Sequence, residues 1–272
     1  MRYKLIVSDL DDTLLDDNLG YPESLVEAIA EYTAAGGIFT IATGRMTEPL
    51  LDCCRRLNLK GEAISYQGAI ICDIESGKIL EETDISNEIA VKICRRADEL
   101  GIYYQLYKDG RILIKKRTPY TERYAKLCNC PFEEYGEGLT DYVINSGLEP
   151  VKALLVDEPM KIDTLLPKLQ KEFEGELLVN TSKKWIIEMI NKDINKGNAV
   201  AKLAKRLGIA REEIICIGDS PNDISMVEYA GLGVCVANGN KYLKSIAGYI
   251  CPSNNEGGVA HVINKFGLEK SL

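Results

Sequence analysis

Three short, continuous apolar runs stand near the two ends of this chain, at residues 4–8, 38–42 and 214–217, and a polar loop follows each of them. Runs of this length are typical of strands that are buried on both faces of a parallel sheet. Between the first two, residues 22–35 carry apolar side chains at helical spacing and end at Gly36-Gly37. This pattern predicts a β–α–β unit, and hence an α/β fold with a doubly wound parallel sheet.

The middle of the chain has a different pattern. Residues 103–116 alternate around Asp109-Gly110, which indicates a hairpin in an antiparallel sheet. We therefore expect an α+β domain at 83–190, inserted into a discontinuous α/β domain formed by 1–82 and 191–272. The further predicted helices are 48–57, 88–100, 160–173, 196–207 and 222–229, and the further predicted strands are 63–65, 69–72, 151–156, 177–180, 185–190 and 233–237.

Composition narrows the possible partners. The 272 residues are 46% hydrophobic with a net charge of −8, which argues against a nucleic-acid or membrane partner, because both favour a basic surface. No apolar run approaches the roughly 20 residues of a spanning helix. The nine cysteines form no CxxC pair and are expected to be reduced thiols. We expect a cytoplasmic protein, either a monomer or a homodimer.

Acidic and small polar residues follow the three apolar runs. The loops read DLDDT from Asp9, ATGR from Ala42 and GDSPND from Gly218. Ligands of open parallel sheets bind at the carboxyl ends of the strands. The three loops are therefore expected to converge on one site.

Several carboxylates at one point repel each other unless a hard cation lies between them. Magnesium suits such a site, because it prefers oxygen ligands and shares its coordination with phosphate. Asp9, Asp11 and Asp219 are the residues expected to hold it. Asp9, the closest to its strand, is the expected nucleophile toward a phosphoryl group.

A phosphoryl group also needs donors and a positive charge. Thr43 offers a hydroxyl group, Gly44 a backbone N–H that permits close approach, and Lys196 an ammonium group at the start of a helix. Each feature alone has a simpler explanation: a solvated acidic turn, as at Asp16-Asp17, a Thr-Gly turn, a surface lysine, or a capped helix start in GDSPND. Their combination after buried strands favours the catalytic interpretation.

Five motifs span nearly the whole chain: SDLDDTLL, IATGR, NKG, GDSPND and NNEGGVAHVI. Together they resemble the motifs of the haloacid dehalogenase-like superfamily of phosphohydrolases, in its Cof-type branch. The resemblance implies a Rossmann-like core, with the inserted segment as a cap that selects the substrate. It implies that Asp9 becomes an aspartyl phosphate and that Asp11 is the general acid and base. The implied magnesium ligands and their support are Asp9, Asp11 through its carbonyl, Asp219, Ser220 and Asp223. The implied phosphate-binding residues are Leu10, Thr43, Gly44, Lys196 and Asn222.

The chain departs from the family pattern at two positions near the expected site. Asp12 stands where the family has glycine, and Gln67 stands where the branch has asparagine before Gly-Ala. The loop at 237–240 is expected to serve either cap docking or packing. Candidate leaving-group contacts in the inserted domain are Tyr103, Tyr104, Tyr107, Arg111 and Trp185, although aromatic residues on a hairpin more often pack across the strands. His261 is expected to be structural or surface-exposed.

Three functions are consistent with this sequence. The first is a magnesium-dependent phosphatase that acts on a small phosphorylated metabolite, such as a sugar phosphate or a phosphorylated cofactor. The second is a phosphomutase of the same superfamily, and the third is a phosphometabolite-binding module without catalysis. A nucleotide-dependent dehydrogenase is disfavoured because no GxGxxG motif follows the first strand.

Overall fold

The structure is a computed structural model that describes residues 2–119, 121–122 and 131–270. The chain divides into two compact units, which we call unit 1 (Met1–Glu81 with Asn195–Leu272) and unit 2 (Glu82–Ile194). Cys128 and Cys130 lie outside the described residues, and the seven described cysteines are free and buried. Within the described ranges, no helix has both the length and the apolar character needed to cross a membrane.

A parallel five-stranded sheet forms the centre of unit 1. Its strands are β1 (Leu5–Ser8), β2 (Ile38–Ile41), β12 (Ile214–Gly218), β13 (Leu232–Val236) and β14 (Tyr249–Cys251). Their order is β14-β13-β12-β1-β2, and β1 pairs in parallel with both β2 and β12. The sheet therefore joins the two ends of the chain and confirms the predicted α/β fold.

Helices cover both faces of this sheet. They are α1 (Glu23–Ala34), α2 (Thr47–Arg56), α6 (Lys196–Leu207), α7 (Ile224–Tyr229), α8 (Lys241–Ile246) and α9 (Gly258–Val262). Leu5 and Val7 of β1 pack with Val200 and Leu203 of α6, whereas α1 packs on β2. Successive strand residues point to opposite faces, so the uninterrupted apolar run of β1 serves both layers.

A small second sheet lies in unit 1, apart from its last residue, Glu82, with which unit 2 begins. Its strands β3 (Glu62–Ser65), β4 (Ile70–Asp73) and β5 (Ile79–Glu82) lie in that order, and β3 and β4 are antiparallel. An isolated parallel bridge between Ala42 and Ile64 connects β3 to the segment after β2. The turn between β3 and β4 is thereby held beside the Thr43 loop.

Unit 2 is built on a six-stranded mixed sheet in the order β10-β11-β9-β6-β7-β8. The strands are β6 (Tyr103–Lys108), β7 (Arg111–Ile114), β8 (Phe132–Glu134), β9 (Lys152–Val156), β10 (Leu177–Lys183) and β11 (Ile186–Asn191), and the described helices are α3 (Asn87–Glu99), α4 (Leu139–Ser146) and α5 (Pro159–Glu172). The predicted hairpin is confirmed: β6 and β7 are antiparallel, and both turn residues, Asp109 and Gly110, have positive φ.

Several elements differ from the sequence expectation. The predicted helix at 222–229 is α-helical only over Ile224–Tyr229, because Pro221–Asp223 forms a 3-10 turn capped by Ser220. The sequence does not predict β5, β8, β14, α4 or α8, which range from three to eight residues. Such short segments hold too few residues to show a clear periodicity.

Candidate active site

The loops after β1, β2 and β12 lie together because these strands are neighbours in the parallel sheet. Asp9 directly follows β1, and its N–H donates to the carbonyl of Ile217 at 2.9 Å. The N–H of Thr43 donates to the carbonyl of Ile64 at 2.9 Å. Asp9 and Thr43 are both buried, so their side chains are fixed at the carboxyl edge of the sheet.

Lys196 is a fully buried cation at the start of α6. The helix begins there because Asn195 caps it, with Oδ1 accepting from the N–H of Asn198 at 2.8 Å. Lys196 Nζ lies 2.5 Å from Asp9 Oδ1 and 2.6 Å from Asp223 Oδ1. Burial lowers the pKa of Lys196, but the two carboxylates outweigh burial and the pKa is raised overall. The ammonium group therefore stays charged inside the site.

Asp9 and its neighbours form an acidic cluster with an excess of negative charge. One carboxylate oxygen from each of Asp9, Asp219 and Asp223 lies within 4.8 Å of the others. Burial raises the pKa of Asp9 well above its ordinary value, and the Asp223 and Asp219 carboxylates raise it further, while Lys196 lowers it. One ammonium cannot balance three carboxylates. The excess charge and the all-oxygen donor set fit a hard divalent cation.

Asp223 organises the loop that follows β12. Its Oδ2 accepts from the N–H groups of Asp219 and Ser220, both at 3.0 Å, while Oδ1 accepts from Lys196. A Cβ at Gly218 would overlap the Asp223 side chain, which explains the glycine at that position. Because both oxygens of Asp223 already accept hydrogen bonds, Asp9 and Asp219 are better placed to bind a cation directly.

Three further predicted site residues lie in the turns that follow β12 and β1. Ser220 Oγ donates to Asn222 Oδ1, so both side chains take part in the turn. Leu10 is buried, and its carbonyl accepts from the N–H groups of Leu14 and Leu15. Leu10 therefore fixes the turn that follows Asp9.

Thr13, the last residue of the DLDDT loop, supports Asp219. Its Oγ1 donates to Asp219 Oδ1 at 3.0 Å, and the threonine is buried. Burial and the neighbouring Asp223 raise the pKa of Asp219 to about 6, although Thr13 lowers it. In the absence of a cation, Asp219 therefore takes up a proton more readily than a surface aspartate does.

The raised pKa of Asp219 predicts a pH-dependent stability of the metal-free protein. The unfolded chain ionises Asp219 near pH 4, and the folded chain near pH 6. Asp219 therefore costs the folded state nothing below about pH 4, and its ionisation destabilises the folded state progressively as the pH rises to about 6. Solvent screening weakens the effect at this partly exposed carboxyl, and we expect the free energy of unfolding to fall by about 1–2 kcal/mol. Chemical denaturation in chelator at pH 4 and pH 7 measures this loss.

Asp219→Asn is the control for this prediction, since asparagine does not ionise. The variant is expected to lose about 1 kcal/mol less between pH 4 and pH 7 than the unchanged protein does. Equal losses in the two proteins would contradict the assignment to Asp219.

Asp11 points away from the acidic cluster toward Arg45. The guanidinium group binds both carboxylate oxygens, with Nε 2.9 Å from Oδ2 and Nη2 2.5 Å from Oδ1. Such a bidentate pair fixes orientation as well as distance. The Asp11 carboxylate is therefore not grouped with those of Asp9, Asp219 and Asp223, which leaves only its backbone carbonyl for the expected metal contact.

The turn after β3 has an unusual backbone. Tyr66, Gln67 and Gly68 have φ values of 50°, 61° and 106°, all in the left-handed region. For the two non-glycine residues this conformation costs roughly 1–3 kcal/mol each. Backbone bonds to the neighbouring loop hold it: Tyr66 N–H donates to the Arg45 carbonyl at 2.9 Å, and Gln67 N–H donates to the Thr43 carbonyl at 3.0 Å.

Asp12 replaces the expected glycine without loss of the turn. Its φ is 57°, a left-handed conformation that aspartate accepts more readily than most residues. Asn238 Nδ2 donates to the Asp12 carbonyl at 2.7 Å, and Asn238 Oδ1 accepts from the N–H of Asn254 at 3.0 Å. Within unit 1, the loop at 237–240 thus packs against the Asp9 loop.

The candidates in unit 2 have varied contacts. Tyr104 lies in the core with its hydroxyl 2.8 Å from Thr140 Oγ1, and Arg111 pairs with Glu133 at 2.5 Å. Tyr107 is buried beneath Lys152, whose Nζ is 4.9 Å from the ring centroid.

In unit 1, the His261 ring nitrogen Nε2 is 2.8 Å from the Tyr249 hydroxyl, in agreement with a structural role.

Comparison with known proteins agrees with this geometry. Residues 6–263 match the family of haloacid dehalogenase-like hydrolases. The chain is 30% identical to phosphatase YwpJ of Bacillus subtilis over 96% of this chain and 98% of that protein. It is also 30% identical to the 5-amino-6-(5-phospho-D-ribitylamino)uracil phosphatase YwtE of B. subtilis, over 96% and 97%.

Solved structures show the same fold. A haloacid dehalogenase-like hydrolase from Bacteroides thetaiotaomicron superposes with a TM-score of 0.86 at 29% identity, covering 97% of this chain and 99% of that one. The chain therefore belongs to the haloacid dehalogenase-like hydrolase family, and it is a phosphatase of the Cof type.

Proposed function

We propose that this phosphatase depends on Mg²⁺ and hydrolyses a small phosphorylated metabolite through a phosphorylated Asp9. The observation that carries the proposal is the buried Lys196 ammonium, 2.5 Å from Asp9 and 2.6 Å from Asp223. A binding module does not need a buried carboxylate held beside a permanent cation at the end of a rigid strand. A nucleophilic carboxylate does need this arrangement, because its orientation and charge determine the rate at which it attacks phosphorus.

In the proposed reaction, an oxygen of Asp9 forms a bond to phosphorus as the bond from phosphorus to the leaving oxygen breaks. A protonated Asp11 donates its proton to that oxygen and then, as a carboxylate, accepts one from the water that hydrolyses the acyl phosphate, so that both residues return to their starting states. Thr43, Gly44 and Lys196 bind the phosphoryl oxygens. Arg45 keeps the Asp11 carboxylate oriented between the two steps.

The residues that would hold Mg²⁺ are Asp9 and Asp219, with the backbone carbonyl of Asp11, while Asp223 positions Lys196 and the loop at Asp219. A bound Mg²⁺ would offset the excess negative charge and reduce the repulsion between Asp9 and the incoming phosphate. Leu10, Ser220 and Asn222 complete the turns around the site.

For the substrate, we propose a sugar phosphate or a phosphorylated cofactor. The support is the likeness to YwtE, whose name specifies a phosphorylated ribityl compound. We further propose that Glu82–Ile194 is the cap that selects the leaving group. The enzyme is proposed to act in the cytoplasm, as a monomer or a homodimer.

The test is inorganic phosphate release from a panel of sugar phosphates, nucleotides, pyridoxal phosphate, flavin mononucleotide and 5-amino-6-(5-phospho-D-ribitylamino)uracil. Each is measured with Mg²⁺ and with chelator. We expect release only with Mg²⁺ and a clear ranking among the substrates. Conversion of one sugar phosphate into an isomer without phosphate release would identify a mutase instead, and binding without either reaction would contradict the proposed catalysis.

A further inference from the structure

The side chain of Gln67 ends in an amide whose N–H donors have no role in the phosphatase reaction proposed above. Its Oε1 accepts from Asn222 Nδ2 at 3.0 Å. The other end of the amide, Nε2, carries two N–H groups. In the described parts of the chain, no protein acceptor is hydrogen-bonded to Nε2. Two donors are therefore available to a ligand.

These donors lie directly against the Thr43-Gly44 loop. A Cβ at Gly44 would overlap Gln67 Nε2, so the amide occupies the space that a side chain at Gly44 would fill. Because Asn222 holds Oε1, Nε2 is the end that faces Gly44. The amide donors are thus adjacent to the hydroxyl and N–H groups that the proposed function gives to phosphate.

The strained turn around Gln67 connects the same loops. Tyr66 and Gln67 bond to the carbonyls of Arg45 and Thr43, and a Cβ at Gly68 would be only 2.6 Å from the Asn195 carbonyl oxygen. Gly68 therefore permits close contact with the cap of the Lys196 helix. A left-handed backbone persists at two non-glycine residues only where the surroundings enforce it, and such strain is concentrated at binding sites.

We propose that the Gln67 side-chain amide is a phosphate-binding group, which donates through Nε2 to a non-bridging oxygen of the substrate's phosphoryl group. The inference rests on the proposed function, since it concerns the same site. It adds a neutral donor to the hydroxyl of Thr43 and the ammonium of Lys196. It also gives a second reason why residue 44 is glycine. The absence of a side chain lets the Gly44 N–H approach the phosphate closely, and it also leaves room for the Gln67 amide.

The test replaces Gln67 with residues that relieve the backbone strain but cannot reach the phosphate. Gln67→Asn shortens the side chain by one methylene and Gln67→Gly removes it, and both residues accept positive φ more readily than glutamine. We expect the KM for p-nitrophenyl phosphate and the Kd for inorganic phosphate, by calorimetry with Mg²⁺, to rise about tenfold, or about 1.4 kcal/mol. The melting temperature is expected not to fall.

Asn58→Gly is the matched control, because exposed Asn58 also has positive φ, 53°, and lies outside the site. Its KM and phosphate affinity should equal those of the unchanged protein. An unchanged phosphate Kd in both Gln67 variants would overturn the inference and leave the phosphatase proposal standing. A raised KM with unchanged phosphate affinity would place Gln67 at the leaving group and also overturn it. Weaker phosphate binding in a protein that releases no phosphate would support the contact and contradict the proposed reaction.

Discussion

Asp9→Asn is expected to reduce phosphate release by at least about 10³-fold while the protein stays folded. A neutral amide is a poor nucleophile, so the acyl phosphate does not form. The fold should persist because asparagine has nearly the same shape and removes one of the crowded negative charges around Lys196. Phosphate release and thermal unfolding, measured on the same preparation, test both parts of the expectation.

Asp16→Asn is the matched control for a lost carboxylate in the same segment. Asp16 Oδ1 accepts from the N–H groups of Asn18 and Gly20 at 2.8 and 2.9 Å, and an asparagine oxygen can accept the same bonds. We expect turnover close to that of the unchanged protein. Substantial turnover by Asp9→Asn in the same assay would refute Asp9 as the nucleophile.

Lys196→Met is expected to destabilise the protein by about 3–5 kcal/mol and to remove most of its activity. Methionine fills much of the same volume but leaves Asp9 and Asp223 buried without their shared cation. The phosphoryl group also loses its positively charged partner. The free energy of unfolding from denaturant titration, with phosphate release, measures the two losses.

Lys202→Met is the control on the same helix. Its side chain is 49% exposed and its Nζ is 3.9 Å from Glu81, so we expect a change below about 0.5 kcal/mol. Adding Asp223→Asn to Lys196→Met should recover part of the lost stability, because it removes one of the two unpaired charges. A loss in Lys196→Met no larger than that in Lys202→Met would contradict the structural role of the buried ion pairs.

The sequence predicts the core of unit 1 well because its strands are buried on both faces. Continuous apolar runs such as 4–8 and 214–217 indicate a parallel sheet. The rule that ligands bind at the carboxyl ends of such strands then places Asp9, Thr43 and Asp219 near one another. The hairpin at Asp109-Gly110 is predictable for a similarly local reason, namely the turn residues.

The contacts that the sequence does not predict are those between side chains of distant loops. Nothing local in Arg45 indicates that it binds Asp11, and nothing in Thr13 indicates a hydrogen bond to Asp219. The positive φ values at Tyr66 and Gln67 are against the preferences of both residues. Tertiary contacts with the Thr43 loop impose that backbone, so only the folded structure reveals it.

The pairing of β1 with β12 also has a consequence for the order of folding during synthesis. A ribosome completes the whole of Glu82–Ile194 before it begins β12, so the edge of β1 that pairs with β12 must wait for that strand, whereas β1 and β2 are both already available to each other. Pairing across such a long stretch of chain is entropically demanding and slow, while a contiguous domain can fold as soon as it has emerged. The nascent chain therefore passes through a stage in which unit 2 has emerged and can fold, while the edge of β1 that pairs with β12 is unpaired and Asp9 lacks both Lys196 and Asp219.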